Sequence, residues 1–79
     1  MEFSEFCEGL LVSIDLPNLS EINPDQPFGE IPDFDSLATL GVMTFVEIEF
    51  DKSIEGEWIW DNNITPKQLF DIVSIKTID

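Results

Sequence analysis

Between positions 2 and 16 the apolar side chains fall at Phe3, Phe6, Cys7, Leu10, Leu11 and Ile14. Spacings of three and four gather them on one face of an α-helix. Glu2, Glu5 and Glu8 take the opposite face, so the segment predicts an amphipathic first helix. Cys7 falls inside the apolar stripe, where a thiol reads as a packed structural group. The pattern then stops. Pro17, Pro24, Pro27 and Pro32, with Asn18, Asn23 and Gly29, deny the chain a regular ladder or helix, and residues 17–35 predict a long loop. A connection of this length in a compact domain is functional or is pinned by its own side chains. Leu19, Ile22, Phe28 and Ile31 are the candidate pins.

A second rhythm begins at Asp35, a good N-cap, with Leu37, Leu40, Met43 and Phe45 or Val46 at helical spacing. From Val46 onward the period changes. Val46, Ile48 and Phe50 alternate with Glu47, Glu49 and Asp51, which is the pattern of a half-buried strand. Periodicity alone therefore leaves residues 46–51 open between strand and helix. Apolar residues nearly all round the first half suit a central helix packed on two neighbours at once. Residues 54–63 place Trp58 and Trp60 around Ile59, broken by Gly56, Asn62 and Asn63, with room for at most one short helical turn. Thr65-Pro66-Lys67-Gln68 is a helix start: a hydroxyl N-cap, proline at the first helical position and a glutamine that completes a capping box. The last helix follows, with Leu69, Ile72 and Val73 inward.

Composition narrows the chemistry. The 79 residues suit one domain, 1–79, with one modest core, because a chain of this size buries only about 60% of its unfolded surface. Seventeen acidic residues against three basic ones, all lysine, give a net charge of −14, and histidine is absent. Without histidine there is no His-based triad and no ordinary zinc site. A single cysteine excludes an internal disulfide and suits a reducing compartment. No segment has the loop pattern of a calcium site. Neither a secretory signal nor a run of 18 apolar residues is present, so the expected location is cytoplasmic. The charge would repel phosphate backbones and anionic lipid surfaces, predicting no nucleic-acid and no membrane partner. It would attract basic protein patches.

Asp35-Ser36-Leu37 opens a helix after a first amphipathic helix and a long proline-containing loop, with Ile31-Pro32-Asp33-Phe34 before it and Asn23-Pro24-Asp25-Gln26-Pro27-Phe28 earlier in the loop. Glu47, Glu49 and Phe50 stand downstream. In this order, over residues 3–75, the chain resembles the acyl carrier proteins, and in particular the small stand-alone members. The resemblance implies an all-α, four-helix bundle with three main helices, a short third helix and a long loop between helices one and two. It implies that Ser36 receives 4′-phosphopantetheine from a phosphopantetheinyl transferase, and that the arm's thiol carries acyl groups as thioesters. The protein itself would catalyse nothing and hold no metal. Asp35 would help engage the transferase's magnesium-bound site. Leu37, with Glu47 and Glu49, would contact partners: acyl-transferring, acyl-activating or condensing enzymes with basic surfaces, met by a monomer.

The sequence also departs from the family pattern. Asp33 stands where most members have glycine. Ala38 and Gly41 replace residues that are often acidic on the partner-facing side of helix two, which points to a specialised fatty-acid or polyketide-type pathway. Gly41 costs about 1 kcal/mol of helix propensity, and would permit close approach of another helix or of a bound acyl chain. Trp58 and Trp60 either line a chain-binding cleft or pack into the domain. The alternative, from charge alone, is an acidic interaction module, such as a nucleic-acid mimic or anti-regulator, with no prosthetic group and an inert Ser36.

Overall fold

The first helix, α1 (Phe3–Ile14), forms where the three-and-four spacing places it. The Glu2 backbone N–H donates to Glu5 Oε1 at 2.9 Å, satisfying one of the donors that a helix start leaves free. Phe6, Leu10 and Ile14 are buried, and Phe3, Cys7 and Leu11 pack half-buried beside them. Asp15 ends the helix in the left-handed conformation (φ 51°), returning its N–H to the Leu11 carbonyl at 3.2 Å. The computed structural model describes residues 1–74, so Ile75, the last residue of the family-like span, lies outside the described residues.

α2 (Ser36–Phe50) crosses α1 in the principal packing contact of the fold. It runs unbroken through residues 46–50, so the alternating segment is helix, and among the described residues there is no strand. The side chains that α2 buries are Ala38, Thr39, Val42, Phe45 and Val46. Leu37 and Leu40, which belong to the same helical spacing, and Ile48, from the alternating segment, are rotated outward, exposed at 78%, 54% and 73%. Gly41 accounts for this rotation, because a Cβ there would overlap the carbonyl oxygen of Ser13. Only a glycine lets the two backbones approach so closely, and the neighbour that benefits is α1.

α3 (Gly56–Asp61) is one and a half turns long. Gly56, expected as a break, is its first residue; a Cβ there would stand 3.0 Å from Thr39 Cγ2, so α3 rests directly on α2. α4 (Pro66–Val73) opens with the expected reciprocal cap: the Gln68 N–H donates to Thr65 Oγ1 and the Thr65 N–H to Gln68 Oε1, both at 3.1 Å. Pro66, Leu69 and Val73 are buried. Ile72, expected inward, is 41% exposed, because so short a helix buries only the narrow stripe formed by the other three.

The long loop is pinned as its composition suggested. Ile22, Phe28, Ile31 and Phe34 are buried and Leu19 is half-buried. Despite its prolines the loop contains one 3₁₀ turn, Phe28–Glu30. It is also tied by its backbone: the Phe28 N–H donates to the Ile64 carbonyl at 2.9 Å, and the Lys67 N–H to the Pro24 carbonyl at 3.2 Å.

All seven phenylalanines contribute to the interior, in two groups. Phe6 centres one, with ring centroids 5.0 Å from Phe70, 5.5 Å from Phe45, 5.7 Å from Phe50 and 6.3 Å from Phe3. Phe34 centres the other, 5.7 Å from Phe28 and 5.4 Å from Trp60. Among the described residues the molecule is a small four-helix bundle over a single continuous core.

Candidate functional site at the start of α2

Buried Phe34 and Ile31 hold the end of the loop against the core, which fixes where α2 begins. Between these two, Asp33 turns the chain at φ 67°, in the left-handed region. This is a conformation that glycine adopts freely and aspartate tolerates better than most residues. Asp35 is extended and caps α2: its Oδ1 accepts the Ala38 N–H at 3.0 Å. Its carbonyl accepts from the Thr39 N–H at 2.9 Å and from Thr39 Oγ1 at 2.8 Å. These bonds hold the first turn in a single geometry, and Ser36, its first residue, is exposed.

Ser36 stands at the rim of a cleft of about 390 Å³ between α2 and α3, lined with it by Thr39, Gly56, Glu57, Trp60 and Asp61. Carboxylates border the serine on several sides, and no lysine lines the cleft. The countervailing feature is the helix terminus, whose free N–H groups and positive dipole end favour an anion by about 0.3 to 1 kcal/mol at an exposed site. Trp60 lines the cleft and is itself 41% exposed. Its Nε1–H donates to Thr39 Oγ1 at 3.0 Å.

α2 also presents an outward face. Leu37, Leu40, Thr44 and Ile48 lie within about 80° of one another around the helix axis and span about 16 Å along it. Glu47 borders that stripe. Glu49 does not: it lines a separate groove between α1 and α2, of about 480 Å³, with Met1, Glu5, Glu8 and Val12 on the other side. Ser36, Asp35 and Leu37 are thus brought together, Glu47 shares the face they begin, and Glu49 is turned away from it. Ala38 is buried and Gly41 faces α1, so neither stands on the outward face, and their lack of charge says nothing about recognition there.

Trp58 and Trp60 have different surroundings. Trp58 is half-buried against the core and borders a shallow cleft of about 290 Å³ with Ser53, Ile54, Glu55 and Ile72. Trp60 is the one at the Ser36 cleft. The bond from Trp60 to Thr39 joins residues far apart in the chain, and no local pattern in the sequence announces it. Cys7 is half-buried, and burial pushes its thiol above the ordinary value of 9.0, the reverse of what a reactive thiolate needs. Among the described residues no three potential ligands gather to hold a metal ion, and no helix is long and apolar enough to cross a membrane. Compared with family models, curated proteins and solved structures, the chain matches none.

Proposed function

We propose that this chain is a carrier protein of the acyl-carrier type, modified on Ser36 with 4′-phosphopantetheine. The observation that carries the proposal is the setting of Ser36: an exposed hydroxyl on the first residue of α2, behind an Asp35 cap, beside a cleft and at the head of an outward apolar stripe. The attached group would supply a thiol on a flexible arm, to which acyl groups are held as thioesters.

The protein's own residues make the site receptive. The Ser36 Oγ is the atom that would attack the pantetheine-side phosphorus of coenzyme A, its proton passing to a base of the transferase while the diphosphate P–O bond breaks and adenosine 3′,5′-bisphosphate leaves. The N–H groups at the start of α2 face the incoming phosphate and offset part of the repulsion from nearby carboxylates. Asp35 spends Oδ1 on its cap, which leaves Oδ2 free toward the transferase's magnesium-bound site. Leu37 and the stripe behind it offer an apolar docking face, bordered by Glu47, to enzymes whose contact surfaces are basic and partly apolar. That face carries more aliphatic surface than charge, which supports a specialised acyl pathway over one steered mainly by electrostatics. In this role the chain is a cytoplasmic monomer that meets its partners transiently and performs no catalysis of its own.

The test is the intact mass of the protein after incubation with coenzyme A, magnesium and a promiscuous phosphopantetheinyl transferase. One phosphopantetheine adduct is expected, and none on Ser36→Ala. An unmodified protein beside an active transferase control would overturn the proposal in favour of an acidic interaction module.

A further inference from the structure

The groove of about 480 Å³ between α1 and α2 is a surface that modification of Ser36 does not use. Gly9 stands opposite Phe45 and Ser13 opposite Gly41, so the two helices that flank it run antiparallel. Its floor is apolar. Gly9 has no side chain, and the Phe45 ring lies directly against it, since a Cβ at Gly9 would overlap the ring carbons. Val12 stands on the α1 bank, 77% exposed, and Met1 beside it is exposed as well. Glu5 and Glu8 share that bank, and Glu49 faces them from α2. All three carboxylates are exposed, and no lysine is among the described lining. Glu5 already accepts the Glu2 N–H through Oε1, whereas Glu8 and Glu49 cap no helix.

We propose that the α1–α2 groove is a docking site for a basic amphipathic helix of a partner protein. Its apolar face covers Val12 and the Phe45 edge, and its lysines or arginines meet Glu8 on one bank and Glu49 on the other. The occupant follows from charge complementarity. An apolar strip with carboxylates on both banks matches a helix whose apolar face is flanked by cations. A neutral apolar partner would strip water from those carboxylates and return no counter-charge. A second copy of this chain, at −14, and an anionic lipid surface are both repelled. Glu49 stands about 20 Å along α2 from Ser36. The groove can therefore be occupied while the Ser36 end is engaged elsewhere, and the inference does not rest on modification of Ser36.

The probe is a synthetic lysine–leucine amphipathic helix of about 14 residues, four turns long. It is titrated into the unmodified protein at about 0.15 M salt, where the screening length is about 8 Å. Backbone amide shifts are expected to move along residues 5–13 and 45–49. Calorimetry then compares Glu8→Gln/Glu49→Gln with Glu21→Gln/Glu30→Gln, which removes the same charge from exposed positions in the long loop. The groove pair is expected to bind about fivefold more weakly than the loop pair, the effect of two exposed ion pairs. Val12→Ser is expected to bind about threefold more weakly than the parent, and a peptide with glutamine in place of leucine about tenfold more weakly. Equal affinity of the groove and loop pairs, or unchanged affinity in Val12→Ser, would reduce the surface to diffuse charge and overturns the inference. Shifts centred on Leu37 and Leu40 overturn it too, as does a dimer in sedimentation that Val12→Ser dissociates. The shift map is read on the parent, so it decides the matter even if a variant fails to fold. Failure of Ser36 modification would refute the carrier function and leave this result standing.

Discussion

Replacing Gly41 by alanine sets helix propensity against packing at one position. Alanine in a helix interior is favoured over glycine by about 1 kcal/mol, so α2 taken alone would be stabilised. In the fold the new Cβ would overlap the Ser13 carbonyl oxygen and lie 3.0 Å from the carbonyl carbon. These are backbone atoms in the last turn of α1, and no side-chain rotation relieves the overlap. α1 must draw back, loosening Ile14 and Leu10 against Val42 and Phe45. Overpacking costs about 1–3 kcal/mol, and an overlap with backbone falls in the upper half of that range, so the variant should be less stable by about 1–2 kcal/mol once the propensity gain of about 1 kcal/mol is set against it. For a domain of this size that lowers Tm by about 5–15 °C. Gly9→Ala is the control, with the same propensity gain. Its Cβ would overlap the Phe45 ring, a side chain bordering the open α1–α2 groove and able to swing into it. Urea and thermal unfolding, followed by far-UV circular dichroism, compare the two. A Gly41→Ala protein as stable as the parent, or a Gly9→Ala protein damaged more than Gly41→Ala, would refute the argument.

The remaining predictions concern the outward face, the thiol and a cap. Leu37→Ser and Ile48→Ser remove side chains exposed at 78% and 73%, so unfolding midpoints should stay within about 0.5 kcal/mol of the parent, while Leu37→Ser should slow modification of Ser36 severalfold in a transferase time course. Burial raises the Cys7 pKa, so the unfolded chain loses this proton first as pH rises. The thiol's contribution is therefore fully present below 9.0 and lost as pH climbs through the folded-state value; urea midpoints on either side of 9.0 should fall less in Cys7→Ala than in the parent. Thr65→Ala removes one half of the cap on α4 and should cost about 1 kcal/mol, read in the same urea titration.

α1 and the start of α4 could be read from sequence because their signals are local: one apolar face in the first, cap chemistry in the second. The burial of Ile22, Phe28 and Ile31 was legible for a similar reason, as isolated apolar residues among prolines have nowhere else to go. The rotation of α2 was not legible. With apolar residues nearly all round, its periodicity does not choose a face, and the choice is made by a tertiary contact, Gly41 against Ser13. The alternation at 46–51 left strand and helix open; in the helix that forms, Val46 and Phe50 meet the core while Ile48 projects into solvent. At the candidate site, the Asp35 cap and the exposure of Ser36 follow from the tripeptide at a helix start. The Trp60–Thr39 bond depends on α3 folding back over α2, and composition gives no hint of it.

The backbone ties of the loop, Phe28 to Ile64 and Lys67 to Pro24, also constrain the route by which the chain folds. Each joins stretches far apart in sequence, so the entropy of closing a large loop must be met before either bond forms. The contacts of α1 with α2 enclose similar lengths of chain: the approach of Gly41 to Ser13 closes a shorter loop than either tie, and the contact of Phe6 with Phe50 a longer one. Docking of α4 fastens the loop and, through it, the segment that positions Ser36. The start of α2 is therefore completed as part of one cooperative unit with α4. In native-state hydrogen exchange, the amides of Phe28 and Lys67 should open together, with a common free energy.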